Sequence, residues 1–190
     1  PEAFEGLTIA QISDLHSGSF SSSEFIAEAV DNILELKPDL IFFTGDLVNN
    51  EASEAEPHIN EFKRLEARLG VHSILGNHDY GDYGPWASPE AKAENLSRLK
   101  DIHSESGWNL LLNDNHVLES DGEKLAIVGV ENWGASRHFP KYGDLDKAVV
   151  GVEDIPFKIL LSHDPSHWDA KIKEHPQKFQ LTLSGHTHGA

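Results

Sequence analysis

The chain has no cysteine, and this absence excludes several kinds of site at once. Without thiols these 190 residues can form no disulfide bond, no thiolate-bound metal site and no cysteine nucleophile. Any metal site must therefore use nitrogen and oxygen donors, and the chain is well supplied with them, having 12 histidines and 32 acidic residues. Donors of this kind suit Mn²⁺, iron or Zn²⁺.

Positive charge and long apolar runs are also scarce. The chain has 15 lysines and arginines against 32 acidic residues, which gives a formal net charge of −17 at pH 7. This charge disfavours tight, non-specific binding to nucleic acid or to an anionic membrane, because such binding needs Lys and Arg to neutralise phosphates. No apolar run approaches the roughly 18 residues of a membrane-spanning helix. We therefore expect a soluble body without a membrane span in this chain.

The most informative stretch is an apolar run that ends in an aspartate. Leu40 to Phe43 predict a strand buried on both faces, and the following Thr44-Gly45 predicts a turn that leaves Asp46 projecting from the strand's end. Similar apolar runs cover residues 7–12, 71–75, 157–161 and 179–183. The metal-type donors that follow these five runs are Asp14, His16, Asp46, Asn77, His78, His163, His186 and His188.

The segments between these runs predict the architecture. Residues 26–36 have the apolar spacing of a helix that a capping box at Ser21 to Glu24 would open, and similar spacing predicts helices over 59–69 and from Ser88-Pro89 to Gly107. Strand candidates at 108–112, 116–119 and 124–130 are separated by hairpin-type turns. We therefore expect an α/β fold in which two mixed β-sheets pack as a sandwich flanked by helices, forming one domain over residues 1–190.

Polar stretches outside these motifs are assigned no chemistry. The acidic loop at 49–57 is predicted to be solvated, and the aromatic residues at 79–87 either form a wall of a substrate cleft or hold their loop on the body. Most of the remaining histidines are expected to be structural. His138 is the exception, because it follows Arg137 in an irregular loop that could lie near the cleft, although a solvated basic pair is the simpler interpretation.

The order of the donors is more specific than any single motif. An aspartate after a strand is often a helix cap, and a lone histidine is more often structural than a ligand. Here, however, donors follow five separate strands in the order Asp-x-His, Gly-Asp, Gly-Asn-His-Asp, His and Gly-His-x-His. Since the carboxyl ends of parallel strands meet at one edge of a sheet, we expect the donors to converge there.

This pattern resembles that of the calcineurin-like metallophosphoesterase family, over nearly the whole chain. The matching motifs are Asp14-Leu15-His16, Gly45-Asp46, Gly76-Asn77-His78-Asp79, His163 and Gly185-His186-Thr187-His188. The resemblance implies a two-sheet sandwich and two metal ions. It implies that Asp14, His16 and His188 bind one ion, that Asn77, His163 and His186 bind the other, and that Asp46 bridges both.

The resemblance also implies a catalytic role for His78. The equivalent histidine of the family is not a ligand but faces the substrate and assists with the charge of the transition state or leaving group. Two divalent ions against the two carboxylates would leave a local charge of about +2, where a phosphate must bind. Two ions about 3.5–4 Å apart can share a hydroxide for in-line attack, so that no protein nucleophile is needed.

The expected function is therefore hydrolysis of a phosphate ester. The substrate could be a small-molecule, nucleotide or lipid phosphoester, and a phosphomonoester, phosphodiester or pyrophosphate; the identity of the metal is open. Two alternatives are a metal-dependent nuclease, which the acidic composition and lack of a basic stripe disfavour, and a non-catalytic regulatory metal-binding domain. The presence of His78 favours the enzyme, because a domain that only binds metal does not need it.

The two ends of the sequence favour a longer protein. Pro1-Glu2-Ala3 is a poor natural start, and the chain stops at Ala190, two residues after the candidate ligand His188. A ligand so near a free end would fray, and the resembled family continues with further strands, so we expect a C-terminal segment that completes the second sheet. The Gly-His-Thr-His-Gly motif is most similar to that of the bacterial branch of the family. This resemblance implies a catalytic domain that is cytoplasmic or anchored to the membrane. The oligomeric state is left open.

Overall fold

The computed structural model describes residues 1–188 and contains two four-stranded sheets. The strands, numbered in chain order, are β1 Ile9–Ile12, β2 Leu40–Phe43, β3 Val71–Ser73, β4 Asn109–Leu110, β5 Asp114–Ser120, β6 Glu123–Gly129, β7 Lys158–Leu161 and β8 Leu181–Leu183. The α-helices are α1 Glu24–Glu35, α2 Ile59–Phe62, α3 Pro89–Glu105, α4 Leu145–Ala148 and α5 Ser166–Ala170. None of the helices within the described residues is long and apolar enough to cross a membrane.

The two sheets differ in strand direction. The first sheet has the order β1-β2-β3-β4 and is parallel throughout. The second has the order β5-β6-β7-β8, in which β5 and β6 form an antiparallel hairpin while β7 and β8 are parallel to β6. The predicted α/β fold of two sheets flanked by helices is therefore confirmed, with the correction that only the second sheet is mixed and the first is parallel. In the first sheet every connection crosses back over the sheet, as parallel neighbours require.

The sheets face each other and are covered on both outer faces. Leu40 and Phe42 of β2 pack between the sheets with Ile127 and Ile159 of the second sheet. The opposite face of β2 packs under the first three helices, and the outer face of the second sheet packs against α4 and the residues around Ile172. The four residues of β2 are all buried, as their unbroken apolar run predicts.

Two predicted helix features are wrong. Helix α1 begins at Glu24 without a side-chain cap: Ser23 is the N-cap residue, and its hydroxyl instead bonds to the imidazole of His58 at 2.8 Å. The helix predicted over 59–69 is reduced to α2. The N–H of Leu69 donates to the carbonyl of Asp39 at 2.8 Å. The end of the predicted helix is therefore bonded to the residue that precedes β2 and is not helical. The helix start predicted at Ser88-Pro89 is confirmed, and the Ser88 side chain caps α3 by accepting from the N–H of Ala91.

The loop at 49–57 is not the solvated segment that its composition suggests. It forms two short 3₁₀ helices, Ala52–Glu54 and Glu56–His58, and buries Ala52 and Ala55 completely or nearly so. The Glu54 carboxylate turns back and accepts the backbone N–H groups of residues 49, 50 and 51. Because one half-buried carboxylate satisfies three backbone donors, it fixes the shape of this loop beside the end of β2.

Several histidines outside the motifs lie in the core. Burial lowers the pKa of His103 to about 3 and those of His72 and His167 to about 4, so all three are neutral near pH 7. His103 bonds to the hydroxyl of Ser73, and His167 bonds to that of Ser162, each at 2.9 Å. These contacts agree with the structural role expected of them.

Candidate metal centre

The strand-end donors converge at the carboxyl ends of β1, β2, β3, β7 and β8. Two sets of three have ligand atoms within 4.8 Å of one another. We call Asp14, His16 and His188 the outer group and Asp46, His163 and His186 the inner group. A third set, His16, Asp46 and His78, shares a residue with each group, and its ligand atoms also lie within 4.8 Å of one another. The structure therefore brings together the histidines and aspartates that the motifs single out.

Asp46 lies between the two groups. Its Oδ2 atom is 3.8 Å from Nε2 of His16 and 3.1 Å from Nε2 of His163. Its Oδ1 atom accepts the backbone N–H of His78 at 2.9 Å. Burial raises the pKa of Asp46, but the hydrogen bond and charge of His163 outweigh it and leave the pKa below its usual value. Asp46 is therefore an ionised carboxylate with one oxygen facing both sets of donors.

Two glycines allow the loops after β2 and β3 to meet at Asp46. Gly45 has a φ of +100°, and a Cβ atom there would lie 2.4 Å from the backbone nitrogen of Gly76. A Cβ atom on Gly76 would in turn collide with Oδ1 of Asp46. Only glycine fits both positions without a shift of backbone, which explains why Gly-Asp and Gly-Asn-His-Asp each begin with it.

Asp79 fixes this junction and was assigned no role by sequence. Its fully buried carboxylate accepts the backbone N–H groups of Gly76, Asp46, Leu47 and Val48 at 2.8–3.2 Å. Burial, together with the neighbouring charge of Asp46, raises the pKa of Asp79 to about 7. One side chain thus ties the loop after β2 to the loop after β3. The motif contains Asp79, but nothing in the sequence indicates that it points into the backbone.

The inner group is held rigidly. Nδ1 of His163 donates to the carbonyl of Thr44 at 2.7 Å, which leaves Nε2 facing Asp46 and the Asn77 amide oxygen, 3.1 Å away. Although burial lowers the pKa of His163, its contact with Asp46 raises it to about 9. Nε2 of His186 lies 3.8 Å from the buried carboxylate of Asp164, a neighbour that sequence reasoning missed.

The outer group is more open. Both oxygens of Asp14 accept the backbone N–H of His186, at 2.9 and 3.0 Å, and its Oδ1 lies 3.7 Å from Nε2 of His188. The His188 side chain is 60% exposed. Burial lowers the pKa of His16 and so favours its neutral form. Its Nδ1 atom is buried and has no hydrogen-bond partner among the described residues.

Backbone strain is concentrated at the same residues. Among residues 1–188, eight non-glycine residues have a positive φ angle, and five of them are candidate ligands. These five are Asp14, His16, Asp46, His186 and His188. Each such residue costs about 1–3 kcal/mol and persists only where the surroundings enforce it, which is typical of functional sites. The strain, the unpartnered His16 nitrogen and the all-nitrogen-and-oxygen donor set fit a metal-binding site.

His78 lies at the boundary between the two groups. Its Nδ1 donates to the carbonyl of Asn49 at 2.7 Å, and its ring lies 4.8 Å from that of His16 and 4.6 Å from that of Tyr83. The Asn49 carbonyl is itself placed by Glu54, which accepts the Asn49 N–H at 2.7 Å. The loop at 49–57 thus positions a candidate catalytic side chain, contrary to the expectation that it takes no part.

The loop at 131–143 borders the inner group. Phe139 packs its ring edge-on against His186, with centroids 4.8 Å apart, and the backbone at Gly134 approaches the Asp164 carboxylate. Arg137 and His138 are exposed at the tip of this loop. This exposure agrees with the simpler interpretation of a solvated basic pair, although the contact of Phe139 places their loop beside the inner group. No ligand role is assigned to either residue.

Comparisons with known proteins agree with this geometry. The model of the calcineurin-like phosphoesterase family matches residues 7–190. The uncharacterized metallophosphoesterase YkuE of Bacillus subtilis is 33% identical over the whole chain, which spans 60% of that protein. The UDP-2,3-diacylglucosamine pyrophosphatase LpxG of Chlamydia trachomatis is 40% identical over 97% of the chain, which spans 64% of that protein.

A solved structure shows the same fold. The NAD nucleotidase NadN of Haemophilus influenzae superposes with a TM-score of 0.61 at 18% identity, covering 96% of this chain and 38% of that one. At this identity the likeness concerns the fold alone. Three observations therefore agree. The fold has two facing sheets with helices outside them, histidines and aspartates cluster at the strand ends, and the family model matches nearly the entire sequence. The chain belongs to the calcineurin-like phosphoesterase family.

Proposed function

We propose that this chain hydrolyses a phosphate ester or pyrophosphate by means of two bound metal ions. The observation that carries the proposal is the position of Asp46, whose Oδ2 faces a histidine of the outer group and a histidine of the inner group. A carboxylate that served a single ion would need donors on one side only. Seven ligand side chains are also more than one tetrahedral or octahedral site can use.

Each ion would have its own ligands and share the bridge. Asp14, His16 and His188 would hold the first ion, Asn77, His163 and His186 the second, and Asp46 both. When bound, two such ions supply Lewis acidity and an activated water for in-line attack on phosphorus. The donor set suits Mn²⁺, iron or Zn²⁺ and does not choose among them.

The small number of carboxylates among the proposed ligands would let the metal site attract an anion although the protein is acidic. The chain has a net charge of −17, which would repel a phosphate, but only two of the seven proposed ligands, Asp14 and Asp46, are carboxylates. The site with two divalent ions would therefore carry a charge of about +2. The neutral Asn77 matters here, because an aspartate in its place would remove one of these charges.

His78 would act on the substrate rather than on the ions. Its backbone N–H donates to Asp46, and its Nδ1 donates to Asn49, so the ring is held beside the bridge with Nε2 left for another partner. An imidazole in this position can stabilise charge on the phosphoryl group or give a proton to the departing oxygen. Its distance from His16 and Asp46 also fits a ligand, and the experiments below separate the two roles.

The relatives widen the range of substrates to test. The Chlamydia protein is a UDP-2,3-diacylglucosamine pyrophosphatase, so the substrates to test include a pyrophosphate linkage to a lipid or sugar as well as simple esters. The acidic composition disfavours a nucleic-acid substrate. The chain spans about three fifths of the length of the two relatives named above, so the substrate of those proteins is a candidate here and not an assignment.

The test is a substrate panel with the metal-loaded chain. Nitrophenyl phosphate, bis-nitrophenyl phosphate, a nucleotide-sugar pyrophosphate and single-stranded DNA are each incubated with protein loaded with Mn²⁺, with Asp46→Asn, and with Asp101→Asn as a control at an exposed site on α3. We expect turnover of a small ester or pyrophosphate that chelation abolishes, that Asp46→Asn loses and that Asp101→Asn keeps. Absence of turnover with both ions bound would favour a regulatory domain, and preferential cleavage of DNA would favour a nuclease.

A further inference from the structure

Tyr83 contacts two neighbouring side chains of the Gly-Asn-His-Asp motif. Its hydroxyl accepts a hydrogen bond from Nδ2 of Asn77 at 2.8 Å. Its ring lies 4.6 Å from the imidazole of His78. Tyr83 is nevertheless 51% exposed, so it stands at the surface of the site and is not a core residue. A half-exposed tyrosine that contacts a candidate ligand and a candidate catalytic group is difficult to explain by packing alone.

The contact with Asn77 bears on which end of the amide faces the metal. An asparagine side chain has an oxygen that can bind a cation and an NH₂ group that cannot. Asn77 is 2% exposed, and its Oδ1 lies 3.1 Å from Nε2 of His163, on the side of the inner group. Within residues 1–188 the hydroxyl of Tyr83 is the hydrogen-bond partner of Nδ2. Removing this hydroxyl would leave a buried NH₂ group unpaired and the amide free to turn its nitrogen towards the ion.

The loop that carries Tyr83 is itself anchored. The backbone N–H of Tyr83 donates to the side-chain oxygen of Asn50 at 3.1 Å, and Nε1 of Trp86 donates to the carbonyl of Gly81 at 2.6 Å. Asn50 belongs to the same loop as the Asn49 carbonyl that receives the His78 imidazole. The two loops therefore enclose His78, one through a hydrogen bond and the other through the ring of Tyr83.

We propose that Tyr83 is a positioning residue that acts on both halves of the site. Its hydroxyl keeps the Asn77 oxygen directed at the inner group, and its ring holds the His78 imidazole in place. The inference rests on the proposed two-ion function. It requires Tyr83 to touch neither the ions nor the reacting atoms.

Variants of two tyrosines test the hydroxyl. Tyr83→Phe keeps the ring and removes the hydroxyl. Tyr142→Phe is a matched control, because Tyr142 is 49% exposed and its hydroxyl makes no hydrogen bond to the described residues. Binding of Mn²⁺ to each metal-free chain is measured by calorimetry, together with the thermal midpoint of the metal-free protein. Asn77→Ala and the double variant Asn77→Ala/Tyr83→Phe complete a thermodynamic cycle.

The expected result is a loss of affinity confined to one ion. Tyr83→Phe should bind one Mn²⁺ about 10- to 100-fold more weakly, as removal of a ligand's hydrogen-bond partner usually does, and the other as tightly as the parent chain. Tyr142→Phe should bind both as the parent does. In the Asn77→Ala background Tyr83→Phe should cause no further loss. Unchanged affinities in Tyr83→Phe, equal losses in both tyrosine variants or a further loss without Asn77 would each overturn the amide role.

The ring is tested separately at saturating Mn²⁺. Tyr83→Leu should then have a lower kcat than Tyr83→Phe with a similar KM, because only the leucine variant has lost the aromatic surface against His78. In a His78→Ala background the two variants should have equal kcat. A difference that persists without His78 would contradict the ring's role. If the parent chain binds two ions but hydrolyses no phosphate ester, the proposed function fails while the calorimetry still decides the role of the hydroxyl.

Discussion

The inner and outer groups offer similar donors on different supports. The His163 side chain in the inner group is fully buried and bonded to the Thr44 carbonyl, whereas the His188 side chain in the outer group is 60% exposed. A ligand that is already ordered loses little side-chain entropy when an ion binds, and a mobile exposed one loses more. The comparison teaches that the inner ion should bind more tightly and exchange more slowly than the outer one.

The difference follows from where the strands lie. Asp46 and His163 follow β2 and β7, which have a neighbouring strand on each side. Asp14, His16 and His188 all follow β1 or β8, which end the two described sheets, whereas in the inner group only His186 follows such a strand. Central strands are held by two sets of hydrogen bonds and by apolar packing on both faces, so the residues that follow them are fixed more firmly. The outer group lacks half of this support within residues 1–188.

The largest expected effect is that of Asp46→Asn, which should weaken metal binding at both the inner and the outer group and so remove the difference in affinity between them. The variant keeps the shape of the side chain but removes the charge that both groups face. We expect each Mn²⁺ affinity to fall by at least about 100-fold, more than for a residue that only supports a ligand, and turnover to be lost. Calorimetry beside the Asp101→Asn control measures this. Retention of both ions and of near-normal turnover would show that Asp46 is not the bridge.

Replacing one histidine of each group with alanine should show directly that the inner group is more rigid than the outer group. His163→Ala should remove the inner ion and also lower the stability of the metal-free chain by about 1–3 kcal/mol, since it leaves the buried Thr44 carbonyl unpaired. His188→Ala should weaken only the outer ion and leave the thermal midpoint of the metal-free chain unchanged. Thermal unfolding and Mn²⁺ titration of both variants check this. Equal effects on stability would show that the two groups do not differ in rigidity.

The next prediction concerns His78, which borders both groups. His78→Ala should leave two ions bound and lower kcat by about 10²- to 10⁴-fold, the usual contribution of a positioned acid or base. The loss should be small for nitrophenyl phosphate, which has a good leaving group, and larger for an alkyl phosphate. Metal analysis and kinetics on both substrates measure it. Loss of an ion would make His78 a ligand, and equal losses on both substrates would make it a binder of the phosphoryl group.

The smallest effect is expected for a change at His103, a buried histidine outside both groups, which should alter the pH dependence of stability and not metal binding. Its pKa is lowered to about 3 by burial, so between pH 6.5 and 3 the unfolded chain binds a proton that the folded chain does not. The free energy of unfolding should therefore decrease as the pH falls through this window, by about 1.4 kcal/mol per pH unit from this residue. His103→Gln should have a shallower decrease, measured by urea unfolding of metal-free protein from pH 7 to 4.5. An unchanged slope would show that this histidine is not kept neutral.

The features that the sequence predicts well are those set by residues close together in the chain, such as a strand and the donors that follow it. The strand at β2 is found where its apolar run places it, and the donors of each sheet lie together because parallel strands end at one edge. The donors come from two sheets, however, and the donors of both sheets meet only because the two sheets face each other with these ends on the same side. Each donor is at most a few residues from an apolar run, so its position follows from the strand's end. The match of motif order to a known family then assigns each donor to an expected site.

What the sequence misses is the set of groups that three acidic side chains contact. Asp79 supports the loop after β2 from a position more than 30 residues away, and Asp164 approaches His186 across another loop. Glu54 gives the loop at 49–57 its shape by accepting three backbone N–H groups, although its composition suggests a solvated segment. Neither the motif that contains Asp79 nor the capping box formed by Glu51 and Glu54 indicates which backbone groups the carboxylates accept, so only the folded structure shows these contacts.

The most direct measurement of the two-ion account is a crystal structure of the Mn²⁺-loaded chain, with anomalous scattering used to locate the metal. The account predicts two anomalous peaks about 3.5–4 Å apart with Asp46 between them. One peak should lie among His163, His186 and the Asn77 oxygen, with the higher occupancy when Mn²⁺ is limiting, and the other beside Asp14, His16 and His188. A single peak at saturating Mn²⁺, or two peaks that do not share Asp46, would contradict it.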